Sequence, residues 1–134
     1  MTKTQPPTGR RLLVVEDDHD AAELVATHFG RYGYQPTVVT DGEEAIRVAT
    51  ESDFDLIVMD LLLPGIGGAE LLTRLRANPG ARNCPVIVSS VLDHADYPEG
   101  IFAALPKPIS RDGVARLAER LEAAERDDVP QQSG

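Results

Sequence analysis

Six polar residues stand where chemistry is possible. Glu16, Asp17 and Asp18 follow one apolar run, Asp60 follows a second, Ser90 ends a third, and Lys107 comes just after a fourth. Taken singly, each has a plain structural explanation. Acids ahead of a helix favour the positive end of its dipole, an aspartate or serine can cap a turn or helix, and a lysine is ordinarily solvated. Taken together they suggest more. Three carboxylates, Asp17, Asp18 and Asp60, repel one another when brought to one place unless a cation sits among them. With Lys107 the group sums to a charge of -2, the complement of one divalent cation. Mg2+ suits such a site because it prefers oxygen ligands, keeps several waters and commonly shares carboxylates with a phosphate oxygen. The matching chemistry is phosphoryl transfer: Asp60 attacks phosphorus, Asp17 and Asp18 hold the ion, and Ser90 and Lys107 each bind a phosphoryl oxygen. Glu16 is either a neighbour of that metal site or surface charge.

The elements that must position these residues follow from periodicity. Residues 12–15 are too short an apolar run for a helix and read as a buried strand. Ala21, Leu24, Val25, His28 and Phe29 recur at helical spacing over 20–32, with Gly33 as the stop. A strand over 35–39 leads to a capping box at 40–44 that opens a helix through Ala45, Ile46, Val48 and Ala49. A strand over 56–59 is followed by breakers at Pro64, Gly65, Gly67 and Gly68, then a helix carrying Leu71, Leu72 and Leu75. A fourth strand spans 85–89, and a fifth spans 102–105. The last helix carries Val114, Leu117, Leu121 and Ala124. This alternation predicts an α/β fold with a parallel sheet and helices on both faces. Because its crossovers are right-handed, all strands end at one edge, where ligands of such folds bind. The six polar residues are the ones that directly follow strands 1, 3, 4 and 5.

Composition sets the outer limits. A chain of 134 residues with 42% hydrophobic residues is sized for one core. A net charge of -9 repels polyphosphates, so no nucleic-acid partner is expected. The lone Cys84 cannot form an internal disulfide, which points to a reducing cytoplasm. Apolar runs of four residues are far too short for a membrane span or a signal peptide. Residues 1–10, with two adjacent prolines, read as a disordered leader, 11–126 as the domain, and 127–134 as a flexible polar tail.

The chain resembles the receiver domain of bacterial two-component response regulators over residues 11 to about 126. The resemblance rests on an ordered set of motifs: Glu16-Asp17-Asp18 after strand 1, Asp60 after Leu-Ile-Val-Met, Pro64 and Gly68 beyond it, Pro85-Val-Ile-Val-Ser-Ser, and Lys107-Pro108. It implies a flavodoxin-like, doubly wound, five-stranded parallel sheet of order 2-1-3-4-5. Asp60 would take a phosphoryl group from the histidine of a sensor kinase or a phosphotransfer protein, in a Mg2+-dependent reaction that switches binding to a downstream protein. Such a domain is a switch that catalyses its own phosphorylation and dephosphorylation, not an enzyme acting on an external substrate. The resemblance further implies that the backbone carbonyl of Leu62 is a metal ligand. It places a Lys107-Pro108 peptide that is cis in many relatives, and sets Leu62 and Leu92 beside the path of hydrolytic water. Since neither leucine can orient water, a long-lived acyl phosphate is expected.

Some positions depart from the family pattern. The stretch from Ser90 to Lys107 is short, with Pro98 and Gly100 in it, so helix 4 between strands 4 and 5 is expected to be shortened or replaced by a loop over 91–101. That stretch would then be the mobile, partner-facing part. Ala104 stands where receivers commonly carry an aromatic switch residue, and Phe102, two positions earlier and on the same side by parity, is expected to be core packing. Val91 could narrow access to Asp60. No effector domain follows the last helix, so a single-domain regulator or a domain cut from a larger protein is expected. Two competing readings are a pseudo-receiver that binds partners without phosphorylation and a phosphatase of the haloacid-dehalogenase type. The latter needs a second aspartate where Leu62 stands.

Overall fold

The structure, a computed structural model, describes residues 9–91 and 97–128. Strands β1 (Arg10–Val15), β2 (Tyr34–Val39), β3 (Leu56–Asp60), β4 (Val86–Ser90) and β5 (Ala103–Pro106) alternate with helices α1 (His19–Gly30), α2 (Gly42–Glu51) and α3 (Gly68–Arg76), and α4 (Arg111–Asp128) follows β5. All strand pairs are parallel, in the order β2-β1-β3-β4-β5. The expected sheet and its order are therefore present. The winding reverses between β1 and β3, so the loops leaving these two strands diverge and open a crevice at their carboxyl ends.

Alternation along the strands divides the core in two. Leu13, Val15, Ile57, Met59, Val86 and Val88 face α2 and α3, where Ala45, Ala49, Leu71 and Leu75 cover them. Leu12, Val14, Leu56, Val58 and Ile87 face α1 and α4, covered by Val25, Phe29, Val114 and Leu117. Strands buried on both faces explain why 12–15 and 56–59 are continuous apolar runs.

Element bounds differ from the sequence expectation by a residue or two. Asp41 caps α2, its Oδ1 accepting from the Glu44 backbone N–H at 2.8 Å. Leu24, assigned to the buried stripe of α1, is exposed, and Ala22 is buried in its place. In α4, Ala118 is buried and Ala124 is exposed. Phe102 precedes β5, so strand parity does not govern it. It packs on the α1/α4 side, with the Arg120 guanidinium 5.1 Å from its ring centre. Ala104, Tyr97 and Ile101 pack on the opposite side, against the α2/α3 cluster. The expectation of a helix shortened or replaced by a loop over 91–101 falls in part on 92–96, outside the described residues, and is not supported. Residues 1–8 and 129–134, which hold most of the expected leader and tail, also lie outside the described residues. α4 runs two residues into that expected tail.

The edge away from the crevice is tied by one side chain. Arg76 donates to the carbonyls of Ala81, Arg82, Cys84 and Gly100, at 3.3, 3.1, 2.6 and 3.1 Å, joining the end of α3 to the segments before β4 and β5. Nearby, Gly80 approaches α2 so closely that a Cβ there would lie 2.4 Å from the Ser52 carbonyl oxygen and 2.5 Å from that of Ala49. Gly80→Ala is expected to cost about 1–3 kcal/mol by overpacking against backbone, read by urea denaturation. Burial pushes the thiol of Cys84 up to about 11, with Arg76 opposing the shift. Cys84 is therefore expected to resist alkylation at pH 8 in the native protein and to react once unfolded.

Candidate functional site

The strand ends bring Glu16, Asp17, Asp60 and Lys107 into one crevice. Glu16 follows β1 and keeps its backbone in the ladder, its N–H donating to the Val39 carbonyl at 3.0 Å. Asp60 ends β3 and lies opposite Ser89 of β4. Lys107 leaves β5, its backbone N–H donating to the Ser90 carbonyl at 3.4 Å. The Lys107-Pro108 peptide is cis.

The centre of the site is an ammonium between two carboxylates. Lys107 Nζ lies 2.9 Å from Asp60 Oδ2 and 3.0 Å from Glu16 Oε1, and both acids are almost fully buried. The remaining carboxylate oxygens are also held: Asp60 Oδ1 accepts from the Leu62 backbone N–H at 2.9 Å, and Glu16 Oε2 accepts from that of Asp18 at 3.1 Å. Burial raises the Glu16 carboxyl above the usual glutamate range, against the lowering effect of its bond to Lys107. For Lys107, burial works to lower the ammonium, but the bonds from Asp60 and Glu16 outweigh it and hold it above the ordinary lysine value.

The sequence leaves Glu16 open between a neighbour of the metal site and surface charge. The residue is 3% exposed and is part of the site, not surface charge. The signal was available, since Leu12, Val14 and Glu16 alternate onto the same side of β1. One ligand oxygen from each of Glu16, Asp17 and Asp60 falls within 4.8 Å of the others, with Asp17 exposed beside the two buried acids. Asp18, expected with Asp17, stands outside this group. It is exposed, and its backbone carbonyl accepts the first intrahelical bond of α1, from Ala22. Ser90 is buried at the end of β4. Leu62 and Val91, at 54% and 70% exposure, are large apolar side chains open to solvent after β3 and β4. Leu92 lies outside the described residues. Gly68 matters for the loop after Asp60: a Cβ there would lie 2.5 Å from a Leu61 methyl and 3.2 Å from its Cα, so only glycine lets α3 start this close.

Residues 12–119 match the family described as the response regulator receiver domain. The chain belongs to this family. Receivers are signalling switches. Relatives include the transcriptional activator protein PfeR of Pseudomonas aeruginosa, 36% identical over 118 residues that cover 84% of this chain and 37% of that protein. A response regulator receiver protein of Anaeromyxobacter sp. is 38% identical over 105 residues, covering 75% of this chain and 44% of its own. The chain thus spans less than half the length of these relatives. Among solved structures, the receiver domain of the sensor histidine kinase PA1611 from Pseudomonas aeruginosa, with a magnesium ion coordinated in its active-site cleft, is similar at 28% identity and a TM-score of 0.74, covering 85% of this chain and 98% of that one. A CheY-like receiver from Methylobacillus flagellatus is 26% identical at a TM-score of 0.76, covering 84% and 98%. No helix of the described residues is long and apolar enough to cross a membrane.

Removing one charge from a buried cluster costs more than the cluster itself contributes. Lys107→Met is expected to lower unfolding free energy by about 3 kcal/mol, and adding Glu16→Gln to restore part of the loss, both read by urea denaturation in metal-free buffer. Because the folded-state value of Lys107 is raised, its stabilising effect is complete below the ordinary lysine value of about 10.4 and is lost as pH climbs through the higher folded-state value.

Proposed function

We propose that this chain is the phospho-accepting receiver of a two-component system acting in the cytoplasm, with Asp60 as the acceptor. A histidine kinase or phosphotransfer protein would supply the phosphoryl group, and a downstream protein would read the change. The single observation that carries this reading is the buried Asp60 carboxylate, oriented by Lys107 Nζ and the Leu62 N–H beside two further acids.

Orientation is the first contribution. With both oxygens held, Asp60 presents a fixed lone pair to phosphorus, and the transfer becomes a matter of placing the donor in line. The P–N bond of the phosphohistidine breaks, an O–P bond forms at Asp60, and the electron pair leaves on the imidazole nitrogen. Negative charge moves from the carboxylate to the phosphoryl oxygens. Lys107 and the Ser90 hydroxyl stand at the same strand edge to receive it.

The donor set fits Mg2+: three hard carboxylates close together, one of them open to solvent and so able to admit an ion that keeps several waters. Glu16, Asp17 and Asp60 would hold it, with the Leu62 backbone carbonyl that the resemblance implies. Asp18 is replaced by Glu16 in this assignment. When bound, the ion supplies charge neutralisation for the phosphoryl group. The PA1611 receiver, which carries magnesium in its cleft, supports this reading.

Incubation with Mg2+ and acetyl phosphate is expected to add one phosphoryl mass, read by intact-mass spectrometry, and Asp60→Asn is expected to abolish it. An adduct that persists in Asp60→Asn would move the site elsewhere. The exposed Leu62 offers water no hydrogen-bonding group, so Leu62→Asn is expected to shorten the adduct's lifetime, measured by its decay after donor removal.

A further inference from the structure

One buried hydroxyl takes no part in the network around Lys107. Ser89 is 1% exposed, and its Oγ is the one buried side-chain N or O atom among the described residues without a hydrogen-bond partner. A buried, unpaired hydroxyl is unfavourable, so its position calls for a reason.

The sheet register supplies one. Val15 pairs with Met59, so Glu16 falls beside Asp60, Asp60 pairs with Ser89, and Ser89 pairs with Leu105. Strand alternation puts Asp60 and Ser89 on the same side of the sheet, the side that α1 and α4 cover, and the contacts of Lys107 Nζ with Asp60 and Glu16 bring Lys107 and Glu16 to the same place. Ser90 alternates to the other side. Lys107 starts beyond β5, the edge strand, and must cross β4 to reach Asp60 on β3. The residue of β4 level with Asp60 is Ser89. An ammonium has three N–H donors. Two are used on Glu16 and Asp60, and the third has no acceptor among the described residues. An unmatched donor and an unmatched acceptor therefore share one face.

We propose that Ser89 is a positioning residue for Lys107 in phosphoryl transfer, an inference that rests on Asp60 being the acceptor. As an Asp60 oxygen bonds to phosphorus, the carboxylate loses the charge that held Nζ, and the lysine must turn toward the phosphoryl oxygens. Ser89 Oγ then accepts the third N–H, while the other two hold Glu16 and a phosphoryl oxygen. Lys107 keeps its three protons throughout. The bond broken is the donor's bond to phosphorus, and its electron pair leaves with the donor. The contact lowers the barrier because it fixes the ammonium only where charge develops.

The test compares Ser89→Thr with Ser89→Val, which share one shape and differ in the hydroxyl, together with Ser89→Ala. Lys3 and Lys107 are the only lysines, so 15N-lysine labelling leaves two ammonium signals to follow. With acetyl phosphate and Mg2+, the wild type and Ser89→Thr are expected to show the same shift of the Lys107 signal on phosphorylation. In Ser89→Val and Ser89→Ala that shift is altered, and the phosphorylation rate at saturating donor falls about five-fold, the worth of one hydrogen bond. Mg2+ affinity, measured by calorimetry, stays unchanged in all three. If Ser89→Ala does not fold, the Thr and Val pair decides. Equal rates and equal Lys107 signals in Thr and Val would overturn the proposal. A wild type that takes no phosphoryl group at all would instead overturn the reading of Asp60.

Discussion

The structure depends on how two buried carboxylates are kept from repelling each other. Glu16 and Asp60 come from neighbouring strands, β1 and β3, and the register places them side by side in a nearly dry environment. A single ammonium, Lys107, lies at hydrogen-bond distance from both. Without it, at least one acid would take up a proton or the strand ends would part. The cluster is therefore both a structural clasp at the carboxyl edge and a reserve of negative charge that the fold does not fully neutralise.

That clasp constrains what lies around it. To reach β3 from the edge strand, Lys107 must leave β5 on the side that α1 and α4 cover. Leu12, Val14, Leu56, Val58 and Ile87 fill the same layer below the site. Their close packing leaves the strands little freedom to slip, because a shift by one residue would bury the wrong set of side chains. The α2/α3 layer is built the same way from the alternate residues. The loop after Asp60 is held by the Leu62 N–H bond to Oδ1 and by the close seating of Gly68 on Leu61.

At the opposite edge, where Arg10 pairs with Glu125, a second arginine works through backbone hydrogen bonds. Arg76 gathers four backbone carbonyls, including that of Gly100, and so ties the connection into β5 to the end of α3. On β5 itself, Ala104 is too small to act as a side-chain lever. Phe102 is committed to the α1/α4 side beside Arg120, whereas Tyr97 and Ile101 pack on the α2/α3 side. The two ends of the sheet thus differ: an ammonium shared by two buried carboxylates at one, and an arginine gathering backbone carbonyls at the other.

The sequence by itself determined the class of fold, the parallel strands and the edge at which the polar residues gather. Continuous apolar runs ending in acids, a serine and a lysine are a one-dimensional pattern, and alternation of strand with helix converts it into one edge of a sheet. Asp60, Ser90 and Lys107 were legible for that reason. Only the tertiary structure shows that Glu16, and not Asp18, groups with Asp17 and Asp60: the Glu16 carboxylate turns toward Lys107 and β3, whereas Asp18 stands exposed at the start of α1 with its backbone carbonyl in the first helical bond. It also decided that Phe102 leaves the side that parity assigned to it, since β5 begins one residue later. The role of Ser89 depends on a pairing between β3, β4 and β5 that brings together residues far apart in the chain. No local pattern reports whether a buried hydroxyl finds a partner, because its neighbours are set by register and not by sequence distance.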